Sequence, residues 1–304
     1  MNKVIDRYFG ADKWNIGFVE QSIEDLICKK KFNGKVIWLE EDKADYSADP
    51  FVVNINSNLF IYYEELNFWK VKGKISRINN FNFDTKQNVT GFSPDDIHFS
   101  YPYVFEEKSN FYCIPETADA GEVSLYQFSQ ENYTQLNKKR VLLEGSRYVD
   151  TSIVHYNGRY WLFTNIDGKL NDIYIYHSDS LEGEFKPHVL NPIQVDTKSC
   201  RGAGNLFTVG GQLYRPTQNL ELRYGGSIII NKISELSERS FKSEIDFELL
   251  PEGPYLEGMH NISFGSNLIV VDGKRRRHSV ITPVHRLLKK ITNRKLFSTK
   301  IGQE

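Results

Sequence analysis

The chain has 304 residues, of which 40% are hydrophobic and 25% charged, and its formal net charge is −1. This composition is that of a folded globular protein, and it excludes a disordered chain and a protein that binds polyanions through its overall charge. The first residues lack the apolar core of a signal peptide, and no apolar run approaches the roughly 18 residues of a membrane span, so we expect a cytoplasmic protein.

Cysteines and glycines limit the cofactors that the sequence predicts. Cys28, Cys113 and Cys200 are odd in number and widely spaced, which predicts reduced, buried thiols and neither a disulfide framework nor a zinc site. Gly202 and Gly204 lack the rest of a dinucleotide-binding fingerprint. We therefore expect no metal and no other cofactor.

In chain order, the first elements are two strand-like segments, residues 14–19 and 35–39. Between them, Ser22 precedes a short segment with helical character and predicts the N-cap of a helical turn. We expect the two strands to join the last unit of the fold and to close it into a ring, since closure removes free sheet edges.

A unit of about fifty residues then recurs five times, and each copy has an apolar strand, a polar turn and an aromatic-rich strand. The five hairpins span residues 49–64, 101–116, 150–165, 203–218 and 260–272. Turns such as Asn157-Gly158 are strong hairpin signals, and further sequence with the pattern of a β-strand follows each hairpin. Three or four strands in each of five units predict an all-β fold, a five-bladed β-propeller, with an open β-sandwich as the alternative.

Three regions follow from this assignment. Residues 1–13 form an N-terminal extension, residues 14–282 the propeller, and residues 283–304 a basic amphipathic tail. The tail belongs to a distinct electrostatic region, because residues 274–304 contain ten Lys or Arg and one acid.

The hairpins collect polar residues at one end of the ring. Residues equidistant from a turn face each other, so the starts of all first strands and the ends of all second strands lie at this end, here called the mouth end. The polar residues at these positions or near them are Asp49, Glu64, Glu65, His98, Tyr101, Glu116, Asp150, Asn165, Arg201, Gln218, Arg223 and His260. Carboxylates, amides and aromatic rings are the groups that bind a hydroxyl-rich sugar, so their convergence predicts a sugar-binding funnel. The alternative is local hydrogen bonding at strand ends, where such residues are common.

Several short motifs carry a family resemblance. They are residues 48–51, 98–104, 114–116, 148–150, 213–218, 223–225 and 271–277. Together they resemble the N-terminal propeller domain of plant glucosamine inositolphosphorylceramide transferases and its bacterial relatives, over residues 14–278. The motif at residues 48–51 is also distantly similar to the first blade of five-bladed propeller glycosidases that degrade arabinan and xylan.

The glycosidase resemblance implies catalytic roles. Those enzymes place a general base on the first blade, an Asp that modulates its pKa on the second and a general acid on the third. Asp49 matches the base, Tyr101 stands in the modulator's place, and Asp150 stands where those families use a Glu. Asp49, Glu116 and Asp150 are thus the catalytic candidates, with Asp150 or Glu116 as the acid. The other polar residues would hold the sugar, and Arg201 or Arg223 would be available for a phosphate.

These observations favour an enzyme of bacterial surface polysaccharide biosynthesis that transfers or hydrolyses a glycosyl group. Its partner would be a sugar, a sugar nucleotide or a lipid-linked glycan. One alternative is a non-catalytic sugar-binding module that positions substrate for a partner glycosyltransferase. Another is an interaction scaffold with a degenerate site.

The basic tail predicts a short helix that starts at Thr282 and Pro283. Residues 283–297 combine an apolar stripe with many Lys and Arg, which is typical of a helix lying on an anionic membrane, so we expect peripheral contact with the inner membrane. A solvated tail, or a helix packed on the propeller, is the alternative. Nucleic acid is not an expected partner, because no recognition fold accompanies the charge.

Overall fold

A computed structural model describes residues 3–69, 72–169 and 171–287. The strands of the first half are β1 (Gly10–Val19), β2 (Ile37–Trp38), β3 (Tyr46–Ile55), β4 (Asn58–Leu66), β5 (Gly73–Asn79), β6 (Asn82–Asn88), β7 (Ser100–Glu107), β8 (Asn110–Glu116), β9 (Glu122–Phe128), β10 (Leu136–Glu144) and β11 (Tyr148–Tyr156). Those of the second half are β12 (Arg159–Ile166), β13 (Asp172–Ser178), β14 (Lys186–Pro187), β15 (Ile193–Gln194), β16 (Phe207–Val209), β17 (Gln212–Gln218), β18 (Ile228–Leu236), β19 (Phe241–Leu249), β20 (Ile262–Gly265) and β21 (Leu268–His278). The helical elements are α1 (Lys3–Phe9), α2 (Ile23–Lys29), a 3-10 turn (Ala118–Ala120) and a C-terminal helical segment, residues 282–287.

The described strands pair into four sheets, and the largest, of eight strands, contains two blades, so the ring has five blades. Blades 1 and 2 are β3 to β6 and β7 to β10, blade 3 is β11 to β13 with β14 and β15 both on β13, and blade 4 is β16 to β19. Blade 5 combines the two ends of the chain, because β20 and β21 are completed by β1 and β2. The five-bladed propeller predicted from the repeat is confirmed.

The ring closes through the early strands, as the sequence predicts. Strand β1 runs antiparallel to β21 from the pair Gly10 and His278 to the pair Val19 and Ile269. A parallel contact between Trp14 and Tyr46 then joins blade 5 to blade 1. Because β1 begins at Gly10, residues 10–13 belong to this blade.

Helix α2 follows β1 and shows how the sequence sets local structure. Ser22 is its N-cap, and the Ser22 hydroxyl accepts a hydrogen bond from the Asp25 N–H at 3.2 Å, as expected for a capping serine. Leu26 is fully buried in the hydrophobic cluster that joins blades 4 and 5. None of the described helices is long and apolar enough to cross a bilayer.

The core lies between neighbouring blades and is rich in aromatic residues. Phe51 of blade 1 packs against Tyr101 and Tyr103 of blade 2 with ring centroids 5.0 and 5.3 Å apart. The buried hydroxyl of Tyr103 donates to the carbonyl of Ile153 in blade 3 at 2.5 Å. Such hydroxyls tie each blade to the next while the rings fill the space between them.

Three details differ from the pattern in the sequence. Blade 4 begins its first strand at Phe207, because Gly204 adopts a φ of +118° and takes the chain past Ile262 of blade 5. Strand β21 continues to His278, since β1 pairs with it along its whole length. Cys113 and Cys200 are buried, but Cys28 is exposed, so the expectation of three buried thiols is wrong for Cys28.

The C-terminal helix starts where the sequence places it. Residues 282–287 are helical, which confirms a short helix after the propeller. The remainder of the predicted basic tail, residues 288–304, lies outside the described residues.

Candidate functional site

Asp49, Tyr101 and Asp150 occupy equivalent positions in three successive blades. Each lies at a β-bulge of the first strand and has a left-handed backbone, with φ of +51°, +43° and +49°. Residues other than glycine rarely adopt this conformation, and bulges redirect side chains. Here the bulges bring three buried side chains from separate blades toward the axis of the ring.

Carboxylates of neighbouring strands hold these strained residues. The N–H of Asp49 donates to Oδ2 of Asp272 at 3.0 Å, and the N–H of Tyr101 donates to Oδ2 of Asp49 at 3.3 Å. The N–H of Asp150 donates to Oε2 of Glu116 at 3.1 Å. The acidic residues are therefore collected around the axis by backbone contacts that the bulges make possible. We call the carboxyl groups of Asp49, Glu64, Glu116, Asp150 and Asp272 the axial site.

Two of the axial carboxylates have a basic side chain of their own. Asp150 forms an ion pair with the Nε of Arg201. Glu64 lies 3.3 Å from Nε2 of His98, whose Nδ1 accepts a hydrogen bond from the Gly73 N–H at 2.8 Å. Because Nδ1 is an acceptor, the ring proton resides on Nε2 and faces Glu64. Burial disfavours the protonated ring, but the hydrogen bond and charge of Glu64 outweigh it and raise the pKa of His98.

Asp272 pairs with His260 and is completely buried. Nδ1 of His260 lies 2.5 Å from Oδ2 of Asp272 without the alignment of a hydrogen bond, and Nε2 lies 3.6 Å from Oδ1 of Asp49. Burial disfavours the imidazolium, but the carboxylates of Asp272 and Asp49 raise the pKa of His260. His260 therefore places a positive charge between two carboxylates. Oδ1 of Asp272 also accepts the N–H groups of His260 and Asn261, at 2.8 and 3.0 Å.

The same three side chains have ligand atoms within 4.8 Å of one another, the spacing of a metal site. Asp272 already accepts three backbone N–H groups, and His260 lies between the two carboxylates. In this arrangement both oxygens of Asp272 are engaged by backbone donors, and His260 lies where it can offset the charge of the two carboxylates.

Asp49 and Glu116 differ from the other axial carboxyl groups, because neither is in close contact with a basic side chain of its own. Burial raises the pKa of Asp49 well above its ordinary value, and His260 offsets only part of this effect. Desolvation and the neighbouring Asp150 carboxylate raise the pKa of Glu116 to about 7, against the opposing charge of Arg201. The pKa of Glu116 thus lies near neutral pH and that of Asp49 is shifted in the same direction, so these two carboxyl groups are the candidates for proton exchange.

The raised pKa of Glu116 predicts a pH-dependent stability. Its carboxyl has an ordinary pKa of 4.5 and a folded value of about 7, so between these values the folded state binds more protons than the unfolded state. This contribution is present at pH 4.5 and is lost as the pH rises to 7. Glu116→Gln removes this pH dependence. The free energy of unfolding of the variant, relative to that of the parent, should therefore rise by about 1–2 kcal/mol from pH 5 to pH 8. Urea unfolding at both pH values measures the difference, and an equal difference at both would contradict the prediction.

Tyr101 fills the axis and leaves no free hydroxyl. Its oxygen accepts the N–H of Gly204 at 2.7 Å and lies 2.9 Å from Oγ of Ser152 and 3.2 Å from the Gly204 carbonyl. Its side chain is 1% exposed. Tyr101 therefore forms the floor of the axial site and joins blades 2, 3 and 4, whereas the sequence places it among the sugar-contacting residues.

Two predicted amides are also held by the backbone. Nδ2 of Asn165 donates to the carbonyls of Asp172 and Cys200 at 2.7 and 3.1 Å. Nε2 of Gln218 donates to the carbonyl of Gly202 at 2.8 Å. Both side chains are buried, so in this conformation they brace blades 3 and 4.

Two predicted residues lie away from the axis. Glu65 follows Glu64 in a strand and therefore faces the other side of blade 1, where its Oε2 accepts from Ser76 at 2.7 Å. Arg223 forms an exposed ion pair with Glu257 at 2.5 Å. Neither residue is available to the axial site in this arrangement.

The entrance to the axial site is formed by partly exposed side chains, one of which the sequence reasoning missed. His98 and Arg201 have side-chain exposures of 36% and 23%, and Tyr224 is 49% exposed. The Tyr224 ring lies 5.3 Å from the Arg201 guanidinium and meets His260 edge-on at 5.4 Å. The sequence analysis predicts Arg223 as a binding residue, but it is the neighbouring Tyr224 that lies over Arg201 and His260.

Three further residues of the site were missed. Trp14 stacks on His260 at 4.0 Å, and Lys274 places its ammonium 5.1 Å from the Trp14 ring. Asp272 ends an apolar run of β21, and this isolated acid after four apolar residues was the signal that could have identified it. Trp14 carries no such signal, because its role depends on ring closure.

A cavity of about 200 Å³ lies beside the axis at the mouth end, between β1, blade 1 and residues 282–287. It is lined by Tyr46, Phe68 and His285, and its Arg276 is already paired with Asp6 and Asp12 at 2.8 Å. The axial carboxylates are not part of its lining, so we assign the candidate site to the axis on its chemistry.

Comparison with known sequences gives one family. Residues 38–255 match the sequence model described as glucosamine inositolphosphorylceramide transferase 1, N-terminal. The enzyme of that name from Arabidopsis thaliana is 30% identical over 215 residues, which cover 68% of this chain and 28% of the relative. The Oryza sativa subsp. japonica protein is 29% identical over 208 residues, with 66% and 28% covered. The aligned region thus spans a little over a quarter of the length of these relatives.

Solved structures share the fold. The catalytic domain of an α-L-arabinofuranosidase from Coprinopsis cinerea superposes with a TM-score of 0.52 at 13% identity, covering 75% of this chain and 79% of that domain. An α-L-arabinofuranosidase from Podospora anserina gives 0.50 at 10% identity, with 67% and 70% covered. At these identities the likeness shows the propeller architecture alone.

Proposed function

Because the chain belongs to the family of the N-terminal part of glucosamine inositolphosphorylceramide transferases, we propose that its axial site binds a sugar and catalyses a reaction at the anomeric carbon. One observation carries the proposal. Glu64, Asp150 and Asp272 each lie within 3.3 Å of a basic side chain, whereas Asp49 lies 3.6 Å from His260, which it shares with Asp272, and Glu116 has no ion pair among the described residues. Two carboxyl groups that can exchange a proton beside a set of fixed charges form the minimal apparatus for glycosyl chemistry.

Glu116 is the better proton donor of the two candidate acids. Asp150 is committed to the guanidinium of Arg201, while Glu116 is bound only by a backbone N–H. Glu116 would give its proton to the departing oxygen as the anomeric bond breaks. Asp49 would face the positive charge that develops on the sugar, as base or nucleophile, and the imidazolium of His260 would help it to ionise.

The remaining side chains would orient the substrate. His98, Arg201 and Tyr224 line the entrance and offer a donor, a cation and a flat ring face to a sugar or to a phosphate attached to it. The relatives are named as transferases, so we favour transfer to an acceptor over hydrolysis, with a sugar nucleotide or a lipid-linked glycan as donor. The curated relatives are plant proteins, so the bacterial polysaccharide setting and the cytoplasmic location stay predictions.

Turnover and binding should separate when the two carboxyl groups are neutralised. Asp49→Asn and Glu116→Gln should each lower turnover by about 10²- to 10⁴-fold, because a positioned acid or base contributes that much. Binding of the same sugar should change only a few-fold, since both variants keep the shape of the site. Product formation from a panel of sugar nucleotides and lipid-linked sugars, with calorimetric binding, measures both quantities.

Glu65→Gln is the matched control, because Glu65 adjoins Glu64 but faces away from the axis. It should leave turnover and binding unchanged. Full turnover by Asp49→Asn and Glu116→Gln would overturn the catalytic proposal.

A second candidate is a sugar-binding module that presents substrate to a separate transferase unit. It is favoured by the share of the relatives that aligns, which is 28% of their length and corresponds to an N-terminal part. Binding without turnover by the parent chain, with binding lost on replacing Tyr224 or Arg201, would favour this function.

A further inference from the structure

Exposed apolar side chains concentrate at the mouth end of the propeller. Of the large hydrophobic residues that are exposed in the described part of the chain, all but Ile37, Val189, Leu190 and Ile245 lie there. The most exposed at this end are Leu222, at 88%, and Val280, at 82%. At the opposite end, the turns between the first and second strands of the blades consist of Asn, Ser, Lys and Gly.

The topology explains why the apolar residues project from this end. Strand β1 begins and β21 ends at the mouth, so α1 and residues 279–287 extend beyond the blades. They hold each other, because the Ser279 N–H donates to the Phe9 carbonyl at 2.9 Å and Arg286 donates to the Gly10 carbonyl at 2.6 Å. Trp69 of blade 1 meets the same segment, with its ring 4.3 Å from His285.

The loops after β17 and β19 form a second projection on blade 4, next to blade 5, since Lys274 of β21 donates to the Tyr224 carbonyl at 2.7 Å. Leu222 and Tyr224 lie in the first loop, and Leu250 and Leu256, exposed to 65% and 61%, lie after β19. The guanidinium of Arg201, at the entrance of the axial site, lies 5.3 Å from the Tyr224 ring of this projection. We call these two projections, with Trp69, the mouth-end surface.

We propose that the mouth-end surface docks on an anionic lipid bilayer, with the axial site opening toward it. Residues 274–304 contain ten Lys or Arg and one acid, and the described part of this segment, residues 274–287, lies at this end. Exposed Leu and Val side chains, interfacial aromatics such as Trp69 and Tyr224, and clustered basic residues are the combination that anchors proteins at anionic membranes.

The geometry favours a bilayer over a protein partner. The exposed apolar side chains belong to several separate segments, which are α1, Trp69, the loops after β17 and β19, and residues 280–287, so no single helix or strand face presents them to a complementary protein. A bilayer surface accepts such anchors one by one. A sugar carried on a lipid would then reach the axial site from the membrane; that consequence rests on the proposed function, whereas the docking itself does not.

Vesicle flotation tests the docking. The parent chain should float with vesicles of phosphatidylcholine mixed with phosphatidylglycerol, and less with phosphatidylcholine alone or at high salt. Combined Leu222→Ser, Val280→Ser and Leu287→Ser should weaken binding to the mixed vesicles by about tenfold or more, because three apolar anchors are lost. Val189→Ser with Leu190→Ser is the control, since these residues are also exposed, to 67% and 49%, but lie on the outer edge of blade 3.

Trp69 supplies a second readout, because it is the exposed one of the four tryptophans. Brominated acyl chains should quench its fluorescence in the parent chain, and Trp69→Phe should remove the quenched signal. No flotation with anionic vesicles, or equal loss in the control, would overturn the proposal. So would a dimer in solution that the triple variant dissociates, since a second copy would then cover this surface. Asp49→Asn should float like the parent, so failed catalysis and failed docking are told apart.

Discussion

Replacing Asp272 with alanine is expected to destabilise the propeller by about 4 kcal/mol or more. The carboxylate is 0% exposed and accepts the N–H groups of Asp49, His260 and Asn261, while it faces the imidazole of His260. Its loss leaves three buried donors unpaired and a buried charge without its partner. Because these donors lie in blades 5 and 1, the damage falls where β1 closes the ring.

Asp272→Asn is the graded comparison. The amide keeps one oxygen, which can still accept the N–H groups of His260 and Asn261, but it loses the charge and the oxygen that accepts from Asp49, so it should cost less than alanine. Urea unfolding of both variants at neutral pH gives the two free energies. If the free energy of unfolding of the alanine variant lies within about 1 kcal/mol of that of the parent, water replaces the carboxylate and Asp272 does not hold blades 5 and 1 together.

Gly204→Ala should destabilise the protein by at least about 4 kcal/mol or prevent folding. At this residue φ is +118°, and an added Cβ would lie 1.8 Å from the carbonyl oxygen of Ile262. The contact is with the backbone of the next blade, so no side chain can move away to relieve it. The N–H of Gly204 also binds the Tyr101 hydroxyl, so any shift would disturb the floor of the axial site.

Gly145→Ala is the control for backbone strain. Gly145 has a φ of +94°, and no atom lies within 4 Å of the position of an added Cβ. It should cost only the conformational strain of a left-handed alanine, about 1–2 kcal/mol. Thermal unfolding of the two variants side by side separates strain from the clash. Equal shifts in the two proteins would show that blades 4 and 5 are more loosely joined than this contact implies.

Much of the fold can be predicted from the sequence because each blade repeats a local pattern. Hairpin turns such as Asn157-Gly158 fix strand pairing over a few residues, and the fifty-residue period fixes the number of blades. The N-cap at Ser22 and the pairing of the early strands with the last blade follow from similarly local or topological rules. The α1 helix was not predicted. It has only seven residues, and it ends where the chain enters β1, which pairs with β21.

The axial site can be predicted only as a collection of residues. The position of Asp49, Tyr101 and Asp150 at equivalent strand starts follows from the repeat. The direction of their side chains cannot be predicted from the alternation of a regular strand, because a bulge interrupts that two-residue period at each of these residues. The same period does explain, afterwards, why Glu64 faces the axis and Glu65 does not.

The sequence alone determined the number of blades, the closure of the ring and the end of the ring at which polar residues gather, because repeat length, turn chemistry and strand register are local properties. Only the tertiary structure decided which carboxylates are neutralised. Arg201 and His260 reach Asp150 and Asp272 across loops and blades, and the distances of these contacts along the chain carry no periodic signal. The raised pKa values of Asp49 and Glu116 follow from burial among these charges, so they exist only in the folded ring.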